Sequence, residues 1–230
     1  MEVCKHSLPH SKSETRYGLV LVGLVAGLVA YPLCVNLFMG RLLLSLWLII
    51  TLVQLILSLQ VDSARRIQSI SLGSLSLLLL LLSVSSNFFS FQVLHFYKLL
   101  LPFSALFFLY CAWVITGSIF NQRRVTLDLI YGSVLGYVLI GISWALIFCC
   151  IELFAADSFS FSSETTLPDK TGALLYFSFV TLTTLGYGDV LPVTELAKTF
   201  AYIEAITGVM YPAILISTLV GKFGLSDKEE

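Results

Sequence analysis

GALLYFSFVTLTTLGYGD, residues 172–189, is apolar and aromatic from Gly172 to Thr183 and then turns abruptly polar and glycine-rich. The apolar part resembles neither a loop nor a full membrane crossing, which needs about 20 residues. Irregular backbone at membrane depth is tolerated only where protein or a water-filled cavity surrounds it. The stretch therefore reads as a helix that goes halfway in, followed by an extended strand that returns. Pro168, with Asp169 or Thr171, suits the first turn and cap of that helix.

Outward from this stretch, the whole chain has the composition of a bilayer protein. Of its 230 residues 57% are hydrophobic and only 12% charged, against roughly 45–50% and 25% in soluble domains. The net charge of -1 and the absence of a basic surface argue against nucleic acid as a partner. Six segments are apolar enough to span: 17–38, 42–59, 67–86, 97–119, 127–154 and 196–221. Lys5, Lys12, Arg16, Arg65, Arg66, Arg123, Arg124, Lys222 and Lys228 then share one side, leaving Arg41, Lys98, Lys170 and Lys198 on the other. The positive-inside rule makes the first side cytoplasmic, with both termini there. The predicted organisation is a cytoplasmic segment 1–16, a four-span unit 17–119, a linker 120–126, a pore-like unit 127–221 and a tail 222–230. The first span reads as an uncleaved anchor in the cell membrane. Cys4, Cys34, Cys111, Cys149 and Cys150 show no metal-ligand spacing and read as small packing residues. No nucleophile–base pair or phosphate loop is recognisable, so an enzyme is not expected.

The return strand, Thr184-Leu185-Gly186-Tyr187-Gly188-Asp189, carries the chemistry. Rings of backbone carbonyls can replace the hydration shell of a potassium ion. Aiming successive carbonyls at one axis requires φ to alternate between ordinary and positive values, which Gly186 and Gly188 permit. Thr184 adds a hydroxyl at the inner end, and the preceding half-helix directs its negative C-terminus toward the same place.

These residues resemble the TVGYG signature of tetrameric potassium channels, with Leu185 where Val is commonest. The resemblance covers roughly residues 130–225, including a Gly sixteen positions after a Pro in the last span (Pro192 and Gly208). It implies K+ coordinated by carbonyls of Thr184, Leu185, Gly186 and Tyr187, supported by Thr183, Gly188, Asp189 and Tyr176. No cofactor beyond bound K+ is implied. Many members carry a Trp pair in the pore helix. Here Tyr176 and Phe177 stand in its place, and only Tyr176 can donate to Asp189. Val180 occupies the position where some bacterial relatives have Glu, as in the voltage-gated branch. One chain supplies one filter strand, so a homotetramer follows. The expected fold class is an all-α membrane protein of six transmembrane helices plus a re-entrant pore helix and filter loop.

In the last span Gly208 reads as a hinge or a site of close packing. Pro212, Ile216 and Val220 fall on one stripe that would line the inner pore. Glu204 is the one ionisable residue inside that span, read either as a brace, bonded to a hydroxyl such as Thr181 or Thr183, or as a pH sensor. Arg123 and Arg124 mark topology or contact anionic lipid headgroups. The expected function is passive, potassium-selective conduction. The alternatives are a weakly selective cation channel or a non-conducting regulatory subunit of another channel. A fourth span that senses voltage needs several cations, each worth about 2.3 kcal/mol per 100 mV, and none lies between Leu99 and Ile119. Conductance measured across a voltage series should therefore change only shallowly, and a steep sigmoid would contradict this expectation.

Overall fold

The computed structural model describes residues 16–34, 49–51, 53–57, 68, 70–75, 93–122, 125–161 and 167–226. In chain order these form α1 (Arg16–Cys34), α2 (Val93–Asn121), α3 (Leu127–Phe154), β1 (Phe159–Phe161), α4 (Leu167–Leu182), β2 (Val190–Pro192) and α5 (Glu195–Ser226). Further helical residues occur within 49–57 and 70–75. Among the described residues, three helices are long and apolar enough to cross a membrane, within α2, α3 and α5, and α1 contributes a shorter apolar stretch. The second and third spans expected from the sequence, 42–59 and 67–86, lie largely outside the described residues.

The helix α3 is the hub. Its start is signalled by Thr126, an extended N-cap residue whose hydroxyl accepts from Leu129 N at 3.3 Å. Asp128 in the first turn faces the positive helix end and also accepts from Tyr17 N at 3.1 Å, which ties α1 to α3. Small residues let neighbours approach α3 closely. The Tyr17 ring rests on Gly132, the Tyr211 hydroxyl on Gly136 and the Phe179 ring on Gly141. The buried hydroxyls of Ser133 and Ser143 donate to carbonyls one turn back, at 2.8 and 2.7 Å, so neither hydroxyl is stranded.

Against this hub α2 packs a face without charge, in which Phe107, Cys111 and Ile115 are fully buried. Both α1 and α2 thus lie on α3. At the end of α2, the Lys222 ammonium from α5 donates to the carbonyls of Ile119, Phe120 and Gln122. A cation at a helix C-terminus satisfies carbonyls that the helix itself leaves open.

The other end of α3 organises a small antiparallel ribbon. β1 pairs with β2 in the register Phe159 to Pro192, Ser160 to Leu191 and Phe161 to Val190. Buried Glu152 accepts from Phe159 N at 3.2 Å and from Lys170 Nζ at 2.7 Å, joining α3, β1 and the start of α4. Phe148, Phe159 and Phe177 meet edge-to-face with centroids 5.1–5.5 Å apart. Phe177 is therefore a packing residue facing α3 and not part of the return strand's surroundings. Truncating the centre of this trio, Phe148→Ala, should cost about 3–5 kcal/mol, seen as a lowered unfolding temperature in detergent. Trp113→Ala, at a position 78% exposed, should change that temperature little.

Candidate functional site

α4 ends at Leu182, and the chain leaves it through a tight turn. Thr183 N donates to Phe179 O (3.1 Å), Thr184 N to Thr181 O (2.9 Å) and Leu185 N to Val180 O (2.8 Å). The orphan carbonyls of a helix end are thus taken up by the amides that follow it. The Thr183 hydroxyl is used in the same way, donating to Phe179 O at 2.7 Å. Among the described residues no backbone amide donates to the carbonyls of Thr184 through Gly188.

The backbone of this stretch has an alternating hand. φ is +60° at Thr184, +59° at Gly186 and +79° at Gly188, with Leu185 and Tyr187 in between on the ordinary side. In a regular strand successive carbonyls point to opposite sides. Reversing φ at every second residue allows them to turn to one side instead. Glycine accepts this without steric cost. Thr184 does not, because a β-branched residue in the left-handed region is strained at a cost of order 1–3 kcal/mol. The two glycines were visible in the sequence. The left-handed Thr184 had no residue signal and needed the coordinates.

The segment is braced from its own chain. The Tyr187 ring stacks on Tyr176 at 6.4 Å with the planes 2° from parallel. Tyr176 in turn makes a side-chain hydrogen bond with Asp189, and Asp189 Oδ1 accepts from its own neighbour, Val190 N, at 3.1 Å. On the outer side nothing covers it. Residues 183–189 are all exposed, Leu185 and Tyr187 by more than half, and a Cβ added at Gly186 would meet open space.

Behind the turn, α5 comes very close. A Cβ built on Gly208 would overlap the backbone carbonyl of Leu182, and that same carbonyl accepts from the Tyr137 hydroxyl at 3.2 Å. The structure thus gives Gly208 a packing reason. α5 continues through Pro212, which is half-buried, while Ile216 and Val220 are exposed on the same stripe. Glu204 is fully buried against α4, and its partner is Ser178, at 2.5 Å, not Thr181 or Thr183. Ser178 drew no attention in the sequence, since a lone serine on an apolar helix carries no signal.

With this geometry in hand, comparison with known proteins is informative. Residues 146–223 match a family model described as an ion channel. Over 92 residues, 40% of this chain, the sequence is 35% identical to the A-type voltage-gated potassium channel KCND3 of Rattus norvegicus, and equally to those of Oryctolagus cuniculus and Homo sapiens. The matched region is 13% of the length of those relatives. No solved structure matches. The match and the apolar helices together make the chain a membrane protein. The tight contact at Leu182 has a direct consequence for stability. Gly208→Ala should force α5 away from α4, at the roughly 1–3 kcal/mol typical of overpacking. Thermal unfolding in detergent should show this loss, whereas Gly221→Ala, which meets nothing within 4 Å, should leave stability unchanged or slightly raised.

Proposed function

We propose that four copies of this chain form a passive, potassium-selective pore, each contributing residues 184–188 as one wall of the ion path. The observation that carries the reading is the alternation of φ at Thr184, Gly186 and Gly188, on a segment whose carbonyls take no backbone amide within the described chain. Unsatisfied carbonyls cannot face hydrocarbon without a cost of several kcal/mol each. A dehydrated cation supplies what they lack, and they replace the water that it loses. The K+ ligands are the carbonyls of Thr184, Leu185, Gly186 and Tyr187, with Thr183, Gly188, Asp189 and Tyr176 as support.

The exposed face of the segment and the exposed apolar face of α5 around Ile206 and Val209 are what other copies would cover. A four-fold arrangement encloses an axis; a pair or a monomer would leave the carbonyls open to lipid. Pro212, Ile216 and Val220 then line the inner vestibule, where an apolar lining can gate by dewetting. The unit of residues 17–119 sits at the periphery with both termini cytoplasmic. Because α2 has no charge between Leu99 and Ile119 and buries Phe107 and Ile115 against α3, that stretch offers no charge for the membrane field to act on, and Lys98 at its edge does not make a voltage sensor alone. The opening is accordingly not steeply voltage-driven. Although the KCND3 relatives are named as voltage-gated, the match to them covers 40% of this chain and 13% of theirs.

Purified protein reconstituted alone in liposomes should pass K+ and exclude Na+. Gly186→Ala, which places a Cβ where φ is +59°, should abolish most of that flux while the oligomer persists. Equal K+ and Na+ permeability would replace this reading by a weakly selective cation pore. No flux from a stable oligomer would replace it by a regulatory subunit.

A further inference from the structure

Glu204 projects from α5 into a buried seam between three helices and is 0% exposed. Its Oε1 lies 2.5 Å from Ser178 Oγ of α4, and the same Oγ lies 2.7 Å from the Gly141 carbonyl oxygen of α3. Its Oε2 has no hydrogen-bond partner among the described residues. A hydroxyl carries one proton, and a peptide carbonyl carries none. If Ser178 gives its proton to Glu204, the contact with Gly141 becomes two bare oxygens facing each other at 2.7 Å. Both contacts are bonded only if the carboxyl brings a proton of its own. The unpartnered Oε2 agrees, because an ionised carboxylate with one oxygen buried and bare would be far costlier than a neutral carbonyl oxygen.

We propose that Glu204 is held as a neutral carboxylic acid that donates to Ser178, which donates to Gly141, so that one proton fastens α5, α4 and α3 together and positions the helix that carries the ion-coordinating segment. Loss of that proton turns Glu204 into a competitor for the single Ser178 proton. Gly141 then loses its bond, and α4 is freed from α3 just above the turn at Leu182. The strap is closed at low and neutral pH and opens as pH rises.

Among the described residues no cation pairs with Glu204. From α3 the titratable group facing Glu204 is Tyr137, which interacts with it electrostatically and whose hydroxyl donates to Leu182 O at 3.2 Å. On α4, Lys170 is paired at 2.7 Å with Glu152 of α3, and Tyr176 bonds to Asp189. On α5 itself, Lys198 pairs with Glu195 at 2.9 Å, on the exposed first turns. Glu204 therefore acts as a positioning residue through Ser178 and touches no ion.

The functional consequence rests on the conduction reading, but the protonation does not, so the two are tested separately. Infrared difference spectra of purified wild type against Glu204→Gln at neutral pH should show the carbonyl band of a protonated carboxyl that the variant lacks. No such band overturns the proposal. K+ flux from liposomes should be lost as pH is raised in the wild type, over the range in which the band disappears. Glu204→Gln, which keeps a donor for Ser178, should conduct at neutral pH with a flat alkaline profile. Glu204→Leu and Ser178→Ala, which break the chain, should have reduced flux at every pH. An alkaline loss of flux that is the same in wild type and Glu204→Gln overturns the positioning role. Absence of flux at every pH from the wild type defeats the conduction reading alone, and the infrared band still decides the state of Glu204.

Discussion

A peptide carbonyl inside a membrane needs a partner, and most of the structure follows from how that demand is met. Within the helices a carbonyl is used by the amide one turn on, except where Pro102 and Pro212 supply none. At helix ends, where four carbonyls are left over, the chain supplies specific donors. The amides of Thr184 and Leu185 close α4, and the Lys222 ammonium closes α2. Residues 184–188 have a row of carbonyls that no backbone amide among the described residues satisfies, and their backbone alternates in hand along that row. An unsatisfied row maintained at the cost of a strained threonine points to a partner that comes and goes, which is what the proposed ion path requires.

Rigidity for that row comes from behind, through α3. Gly132, Gly136 and Gly141 admit aromatic side chains from α1, α5 and α4 to van der Waals range of its backbone, so three elements are set by one helix. Trp144 adds a contact on each side, stacking on Phe148 and meeting Phe200 of α5 edge-on. Packing of this kind does not rely on expulsion of water, which is weak between helices in lipid. It relies on close fit. That is why Gly208 against Leu182 tolerates no side chain.

Two buried carboxyls show how charge is handled in such a fold. Glu152, at the end of α3, sits beside the Lys170 ammonium and accepts an amide bond from Phe159, so its charge is matched and its oxygens are used. Glu204, deeper along α5, has one hydroxyl for a partner and no cation. The same side chain thus serves as an ionic tie near the surface and, in the proposed strap, as a proton-dependent tie in the interior. The difference lies in whether a cation can reach it.

The amino-acid sequence alone determined three long apolar helices, the short apolar helix Leu167–Leu182 and the positive φ of the glycines that follow it, because bilayer thickness and glycine sterics act on local composition. Length separates a span from Leu167–Leu182, and Gly186 and Gly188 announce positive φ wherever they stand. Hydrogen-bond partners were not legible, since they join residues far apart in the chain. Nothing in the sequence distinguished Ser178 from Thr181 or Thr183 as the neighbour of Glu204, or told that Phe177 turns toward Phe148 and Phe159. Nor did it show that Thr184 would be driven to φ +60°. Those outcomes depend on the rotation of α4 about its axis, which is decided only when α3 and α5 press on it from two sides.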